Sequence, residues 1–253
     1  MINSVVFDLD GTLYLGEKVV EGAREAVSAL ERQGFRIFYF TNNSGKTRRQ
    51  IVDKLNRLGF KADMWNTYCA SYAVSAYLAK NKISPVYLIG ADGLMSELAF
   101  RDIKVRDDPA VSAVVIGLDP LFNYGKIAVA LEAIDRGAKL IVANTDSTYP
   151  VENGRRLPGC GSIVAAVVAA SGHLPDFHVG KPEIYMLELL CKDHGLSPKE
   201  ICVVGDVPES DIAMADNFRC QSILFDPKGA FSWFSGKKAK KLNEIISLIR
   251  KGG

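Results

Sequence analysis

Residues 5–13, VVFDLDGTL, constrain the fold and the chemistry of this chain more than any other stretch. Three apolar residues lead into Asp8 and Asp10, and side chains on an extended segment alternate between faces, so both carboxylates are expected on one face. Gly11 is then expected to end the strand, and Thr12 adds a hydroxyl and a backbone donor. Two like charges held this close are unfavourable unless a cation lies between them or one carboxyl keeps its proton. The stretch therefore predicts a strand that ends in a reactive site rather than in a surface turn.

The composition is that of an ordinary globular protein. The chain has 253 residues, of which 48% are hydrophobic and 24% charged, and its net charge is +2. This length suits one large domain or two modest ones, and the charge balance predicts no nucleic-acid partner. No apolar run is long enough to span a membrane, and the N-terminus lacks the pattern of a signal peptide. Five cysteines without a CxxC pair predict neither a disulfide framework nor a zinc site, so a cytoplasmic location is expected.

Strand and helix patterns alternate from the start of the chain. After the first strand come a helix over 22–33, a buried strand over 36–40 and a second helix over 48–58. This order predicts a parallel sheet with helices packed on it, in which ligands bind beyond the carboxyl ends of the strands. Asp8, Asp10 and Thr41 are all expected at that edge.

The pattern restarts near residue 83. Apolar strands and amphipathic or apolar helices are predicted there over 85–90, 92–99, 113–117, 124–136, 139–144 and 162–170. The chain then returns to the first pattern, with elements over 183–194, 201–204, 222–225 and 242–250. A segment of this size can fold by itself. We therefore predict a discontinuous core, 1–81 and 179–253, with residues 82–178 inserted as a second α/β domain.

Four short motifs follow one another along the chain: DLDGT at 8–12, TNNS at 41–44, GKP at 180–182 and GDVPESD at 205–211. In this order they resemble the four motifs of the haloacid dehalogenase (HAD) superfamily of phosphatases. The resemblance implies an α/β fold with a Rossmann-like parallel-sheet core, dependence on Mg²⁺ and hydrolysis of phosphate esters. The insertion between the second and third motifs is similar to a C2-type cap. DGTLYLG, VIGLDPLFNYGKI and PGCGSIVAA are similar to the NagD and p-nitrophenyl phosphatase subfamily.

The catalytic roles are assigned from what phosphoryl transfer requires: a nucleophile, a proton donor for the leaving group and positive charge over the phosphate oxygens. Asp8 is assigned as the nucleophile, which would form an aspartyl-phosphate. Asp10 is assigned as the acid that protonates the leaving oxygen and as the base that then deprotonates water. Lys181 is assigned to pair with both Asp8 and the phosphate.

The substrate-binding residues are expected at the ends of the first two strands. Thr41 and nearby amides, together with Thr12, are expected to hold phosphate oxygens through hydroxyl and backbone donors. Asn42 and Asn43 are expected to position a neighbouring group or the substrate, although the same residues suit a plain turn after a strand.

A second set of substrate residues is implied by the resemblance alone. The segment ANTDSTYP, residues 143–150, is similar to the subfamily's substrate-facing loop. On that match Asn144, Asp146 and Tyr149 would face the leaving group; a loop of turn residues is the alternative.

A magnesium site is predicted from the carboxylates, because Mg²⁺ prefers hard oxygen ligands. Asp8, the backbone carbonyl of Asp10, and Asp206 are expected to supply three ligands. Asp211 is expected to orient a metal-bound water, or to serve as a helix N-cap, and the two roles are compatible.

Two segments depart from the family pattern. Glu209 and Ser210 stand where the fourth motif usually carries an Asp-Thr-Asp run, and the region after Phe225 lacks a Gly-Val-Thr-Thr-like segment. Because serine keeps a hydroxyl at its position, the metal site is expected to survive.

Three functions fit these motifs. The first is a phosphatase that acts on small phosphomonoesters such as sugar phosphates, nucleotides, phosphoglycolate or pyridoxal phosphate. The others are a phospho-accepting signalling module, against which Asp10 and the insertion argue, and a phosphosugar mutase, which a cap in this place disfavours. No membrane partner is expected, and family analogy suggests a homodimer formed through the cap.

Overall fold

The structure is a computed structural model that describes residues 1–150 and 155–250. Its strands, in chain order, are β1 (Ser4–Asp8), β2 (Tyr14–Leu15), β3 (Lys18–Val19), β4 (Arg36–Thr41), β5 (Thr67–Cys69), β6 (Val86–Ile89), β7 (Ala113–Ile116), β8 (Lys139–Val142), β9 (Thr148–Pro150), β10 (Arg156–Pro158), β11 (Phe177–His178), β12 (Ile201–Gly205), β13 (Gln221–Phe225) and β14 (Lys238–Ala239). Its α-helices are α1 (Ala23–Arg32), α2 (Arg48–Arg57), α3 (Ala70–Lys80), α4 (Asp92–Ala99), α5 (Tyr124–Asp135), α6 (Cys160–Ser171), α7 (Tyr185–His194), α8 (Ala213–Phe218) and α9 (Ile245–Arg250). Single helical turns cover Pro198–Glu200, Pro208–Ile212 and Leu242–Glu244.

The chain divides into two compact units. Unit 1 consists of Met1–Thr41, Val52–Tyr68 and Lys181–Gly253, and unit 2 of Asn42–Ile51 and Cys69–Gly180. The inserted segment was predicted at 82–178, so unit 2 starts earlier in the chain and also takes in a separate short segment.

Side-chain contacts within unit 2 explain this difference in boundaries. Tyr77 of α3 stacks on Phe177 of β11, with ring centroids 3.9 Å apart. In the short segment, the Arg48 amide donates to the buried Glu97 carboxylate at 2.6 Å, and the Arg48 guanidinium lies 3.9 Å from the centre of the Tyr72 ring. None of these three contacts can be inferred from residue patterns, because each joins positions far apart in the chain.

Unit 1 is built on a sheet whose strand order is β14-β13-β12-β1-β4-β5. From β14 to β4 the neighbouring strands are parallel. The central strand β1 is fully buried, which is why its apolar residues run continuously instead of alternating with polar ones. The carboxyl ends of β1, β4 and β12 therefore meet at one edge of this sheet. The strands predicted over 36–40 and 201–204 are present as β4 and β12, one on each side of β1.

Unit 2 has its own parallel sheet, in the order β11-β8-β7-β6. Its strands are short and apolar, and all of β6 and β7 is buried. This sheet confirms the α/β character predicted for the inserted segment.

Most predicted elements are present with small shifts at their ends. The helix predicted over 92–99 has those bounds, whereas the helix expected over 242–250 begins as a single turn and becomes α9 only at Ile245. The sequence reading missed α3, because small residues are buried around most of its surface and leave no polar stripe. Among the residues that the structure describes, no helix is both long and apolar enough to cross a membrane.

Candidate active site

Asp8 is the last residue of β1, and its side chain is only 9% exposed. Its Oδ1 atom accepts a hydrogen bond from Lys181 Nζ at 2.5 Å, and the same ammonium donates to Asp211 Oδ1 at 2.6 Å. Lys181 and Asp211 are 4% and 1% exposed, so the three charges are removed from water together. A buried charge is tolerated only when it is paired, and here one cation serves two carboxylates.

A third carboxylate completes the cluster. Phe7 of β1 pairs with Val204 of β12, which places Asp206 just beyond the end of β12 and beside the end of β1. Carboxylate oxygens of Asp8, Asp206 and Asp211 all lie within 4.8 Å of one another. The cluster therefore holds more negative charge than the Lys181 ammonium can balance.

The protonation equilibria of the site reflect this excess. Burial raises the pKa of Asp8 well above its usual value, and the neighbouring Asp211 and Asp206 oppose the lowering effect of Lys181. Burial and Asp211 together raise the pKa of Asp206 to about 6. For Lys181, burial acts to lower the pKa, but Asp211 and Asp8 outweigh it and the pKa is raised, so the lysine stays charged.

The donor set fits a small divalent cation. It consists of carboxylate oxygens, the ligands that Mg²⁺ prefers. Among the described residues, no hydrogen-bond donor reaches the buried Oδ2 atom of Asp8. An unpartnered buried carboxylate oxygen is unfavourable in the protein alone, and a cation is the kind of partner that it lacks.

Two glycines make room for these carboxylates. A Cβ atom on Gly11 would lie 2.2 Å from Asp206 Oδ2, and one on Gly205 would lie 2.2 Å from Asp211 Cγ. Thr12 fixes the same carboxylate of Asp206 by donating from its hydroxyl to Oδ1 at 3.1 Å. Thr12, expected to bind phosphate, thus has its hydroxyl directed at Asp206.

The role predicted for Asp211, orienting a metal-bound water, stays a prediction. Besides pairing with Lys181, Asp211 accepts a hydrogen bond from the Val207 amide on Oδ2 at 3.1 Å. The N-cap alternative is wrong, because α8 starts at Ala213 and its N-cap residue is Ile212. The turn Pro208–Ile212 brings the carboxylate back toward the end of β12.

Asp10 differs from Asp8 in its surroundings. Its side chain is exposed and does not belong to the carboxylate cluster, because β1 ends at Asp8 and the chain then turns. Its Oδ2 atom accepts a hydrogen bond from the Tyr14 hydroxyl at 3.4 Å. The metal role predicted for Asp10 concerned its backbone carbonyl and stays a prediction.

Thr41 ends β4, one residue beyond the partner of Asp8, and is buried at the same sheet edge. Asn43, expected to position a ligand, uses its side-chain oxygen to accept from the Gly45 and Lys46 amides at 3.1 and 3.0 Å. That is the hydrogen-bond pattern of a turn; the positioning role expected of Asn43 stays a prediction.

The remaining predicted residues lie in unit 2. Asn42 donates to both carboxylate oxygens of Asp146 at 3.1 and 3.3 Å, and Asn144 donates to the Asn42 carbonyl at 2.7 Å. These three residues thus form one polar group, joined further by the Asp146 amide donating to Asn144 Oδ1 at 3.1 Å. Tyr149 lies in β9 opposite Leu157 and is half-buried.

Sequence reasoning missed the roles of Gly205 and Tyr14. The clash of a Cβ atom at Gly205 depends on where Asp211 returns, and the bond from Tyr14 depends on the turn after β1. One signal was available for Tyr14: a tyrosine four residues after an acid/base aspartate carries a hydroxyl that could reach it.

Comparisons with known proteins agree with this geometry. Residues 5–104 match the haloacid dehalogenase-like hydrolase family, and residues 178–228 match the HAD-hydrolase-like family. An acid sugar phosphatase of Staphylococcus haemolyticus is 34% identical over 219 residues, which cover 86% of this chain and 82% of that protein. The p-nitrophenyl phosphatase from Archaeoglobus fulgidus superposes with a TM-score of 0.91 at 25% identity, covering 97% of this chain and 98% of that one.

A glycerol phosphate phosphatase from Mycobacterium tuberculosis, solved in complex with magnesium, superposes with a TM-score of 0.85 at 26% identity, covering 95% of this chain and 76% of that one. The chain shares its fold with these phosphatases, and its parallel sheet presents an aspartate paired with a lysine at its carboxyl edge. Together the fold and this site define a phosphoric monoester hydrolase. The sequence match over most of both chains shows that this chain belongs to the haloacid dehalogenase superfamily, in the group of NagD and p-nitrophenyl phosphatases.

Proposed function

We propose that this protein is a Mg²⁺-dependent phosphatase of small phosphomonoesters that works through an aspartyl-phosphate. The observation that carries the proposal is the asymmetric environment of Asp8: Lys181 donates to Oδ1, whereas Oδ2 is buried without a donor among the described residues. Such a carboxylate is oriented and keeps one oxygen for another partner. The relatives named above act on sugar phosphate, glycerol phosphate and p-nitrophenyl phosphate, which supports a small ester as the substrate.

In the first half of the reaction, an Asp8 oxygen attacks phosphorus and the bond from phosphorus to the ester oxygen breaks. Asp10 gives its proton to the departing oxygen, which leaves as an alcohol. In the second half, water attacks the aspartyl-phosphate, Asp10 takes the proton of that water, and inorganic phosphate leaves with Asp8 restored. Lys181 supplies fixed positive charge beside the nucleophile throughout.

The metal would be held by carboxylate oxygens of Asp8 and Asp206 and by the Asp10 carbonyl, with Asp211 beside them. When bound, Mg²⁺ supplies positive charge that offsets the negative charge on the phosphoryl oxygens. Thr12 holds Asp206 in place, and Gly11 leaves the space that this carboxylate occupies.

Selection of the leaving group is assigned to Asn144, Asp146 and Tyr149 of unit 2. This role comes from the resemblance and stays a prediction, as do the phosphate contacts of Thr41, the cytoplasmic location, the homodimer and the absence of nucleic-acid and membrane partners. Because phosphatases match this chain over most of its length, hydrolysis is preferred to the signalling and mutase alternatives.

The test is a screen of phosphorylated metabolites and p-nitrophenyl phosphate with release of inorganic phosphate as the readout. We expect turnover of several small esters, its loss in EDTA and its return when Mg²⁺ is added. EDTA saturated beforehand with Mg²⁺ is the control and should leave the rate unchanged. Full activity in excess chelator would contradict the dependence on Mg²⁺. The absence of turnover with every ester tested would contradict the phosphatase activity itself.

A change at Gly11 tests the link between backbone and metal site. Gly11→Ala should weaken Mg²⁺ binding by about tenfold or more, because a Cβ atom there would displace the Asp206 carboxylate. Gly34→Ala is a matched control, since both glycines have a positive φ, +103° and +86°, but nothing lies within 4 Å of a Cβ atom at Gly34. Both variants should lose about 1–2 kcal/mol of stability from backbone strain. Calorimetric titration with Mg²⁺ should show weaker binding for Gly11→Ala only. Equal Mg²⁺ affinities of the two variants would contradict the assignment of Asp206 to the metal site.

A further inference from the structure

Tyr14 is buried directly beside the exposed carboxylate of Asp10. Only 1% of its surface is exposed, and its hydroxyl donates to Asp10 Oδ2 at 3.4 Å. This distance is long for such a bond, as hydrogen bonds at catalytic groups often are before substrate binds. The backbone supports the contact, because the Gly11 amide donates to the Tyr14 carbonyl at 2.8 Å and closes the turn that joins the two residues.

The tyrosine ring is itself held in place from the other side. Lys54 Nζ, on α2, lies 3.9 Å from the centre of the Tyr14 ring. The Lys54 side chain is 9% exposed, and its Nζ atom lies 3.9 Å from a carboxylate oxygen of Glu17. A cation over the face of an aromatic ring is attracted most strongly when it is removed from water. Lys54 therefore restrains the ring that carries the hydroxyl.

The hydroxyl is a donor at every pH at which the enzyme is expected to work. Burial and the neighbouring Asp10 carboxylate raise the pKa of Tyr14 well above its ordinary value. A phenol that keeps its proton can donate to a carboxylate and also to the carbonyl oxygen of a protonated carboxyl group, so Tyr14 can hold Asp10 in both of the states through which it passes.

We propose that Tyr14, held by Lys54, is a positioning residue that orients the carboxyl group of Asp10 for proton transfer. The inference rests on the proposed function, in which Asp10 is the general acid and base. An exposed carboxylate rotates readily, and rotation would carry the proton away from the ester oxygen; a bond to one of its oxygens restricts that rotation. Positioning of this kind affects the acid step more than it affects binding.

The test compares two esters that differ in their need for an acid. p-Nitrophenolate is a stable anion and can leave without receiving a proton, whereas an alkoxide must be protonated as it leaves. The kcat/KM value for an alkyl phosphate therefore depends far more on the general acid, Asp10. Tyr14→Phe should lower kcat/KM for the best alkyl phosphate of the screen about tenfold more than for p-nitrophenyl phosphate, since a general acid contributes roughly 10²–10⁴-fold in all. Lys54→Met should change the same ratio in the same direction by about threefold, because the ring stays but its restraint is removed.

Tyr39→Phe is the matched control. It removes another buried tyrosine hydroxyl from unit 1, one that has no hydrogen-bond partner among the described residues, and it should leave the ratio of the two kcat/KM values unchanged. The positioning role would be overturned if folded Tyr14→Phe lost kcat/KM equally on both esters. It would also be overturned if the ratio of the two kcat/KM values stayed unchanged in both Tyr14→Phe and Lys54→Met.

A parallel measurement on Asp10→Asn separates this inference from the proposed function. If Asp10→Asn lowers kcat/KM selectively for the alkyl ester and Tyr14→Phe does not, only the role of Tyr14 fails. If Asp10→Asn lowers kcat/KM for both esters alike, the assignment of Asp10 as the acid fails first, and the inference falls with it.

Discussion

Asp8→Asn should abolish phosphate release, lowering kcat for p-nitrophenyl phosphate by roughly 10⁴-fold or more, which is typical of the loss of a nucleophile. The amide keeps the shape of the side chain but cannot attack phosphorus. Steady-state release of p-nitrophenolate measures the loss. Asp193→Asn is a control in the same unit, because the Asp193 carboxylate does not belong to the cluster and accepts a hydrogen bond from the Tyr68 hydroxyl at 2.9 Å. The activity of this variant should stay within about twofold of wild type.

The same substitution should not destabilise the protein. Asp8 is buried, its pKa is raised, and it faces the carboxylates of Asp206 and Asp211. An uncharged amide removes that repulsion, while Lys181 keeps its bond to Asp211. Without added metal, the melting temperature should therefore stay equal to that of wild type or rise, as is common when a functional charge is removed. Retained turnover would contradict the nucleophile assignment, and a large fall in melting temperature would show that Asp8 has a structural role instead.

Lys181→Met should be the most destabilising of these changes, by about 3–5 kcal/mol at pH 8, because it leaves buried carboxylates without their cation. The effect should depend on pH. Asp206 has a raised pKa of about 6 in the folded protein, and loss of a neighbouring positive charge raises it further. Near that pH the folded form binds more protons than the unfolded form, so the free energy of unfolding falls as pH rises. Chemical denaturation at pH 5 and pH 8 should show the larger deficit at pH 8.

Mg²⁺ should restore part of the stability that Lys181→Met loses, since a divalent cation can replace the missing charge beside the same carboxylates. Lys126→Met is the matched control: Lys126 Nζ also lies 2.5 Å from a buried carboxylate, that of Asp119, but as a single pair in unit 2. Its deficit should be smaller and insensitive to Mg²⁺. A loss at Lys181 that is independent of both pH and Mg²⁺ would contradict the electrostatic account of the cluster.

The elements with a strong pattern could be predicted from the sequence, and those shaped by packing could not. The buried run 5–8 and the helix over 92–99 follow from apolar periodicity. Helix α3 was missed because its small residues are buried on most sides, and its contacts within unit 2 include the stacking of Tyr77 on Phe177. Periodicity describes one element at a time and contains no information about such partners.

The site shows the same division. The motifs DLDGT and GDVPESD indicated which carboxylates to expect, and the parallel-sheet rule indicated that they would share an edge. The sequence could not tell that Lys181 bonds to Asp211 as closely as to Asp8, or that Thr12 directs its hydroxyl at Asp206. The side-chain oxygen of Asn43 closes a turn, and the positioning role expected of this residue stays a prediction.

The sequence by itself determined the α/β class, the family and the candidates for the reactive side chains, because these depend on local apolar runs and on short ordered motifs. Only the tertiary structure decided which charges meet: Lys181 reaches Asp8 across 173 positions of the chain, and Gly11 and Gly205 leave room for Asp206 and Asp211. The physical reason is that electrostatic pairing and steric fit act over a few ångströms in space, whatever the distance along the chain.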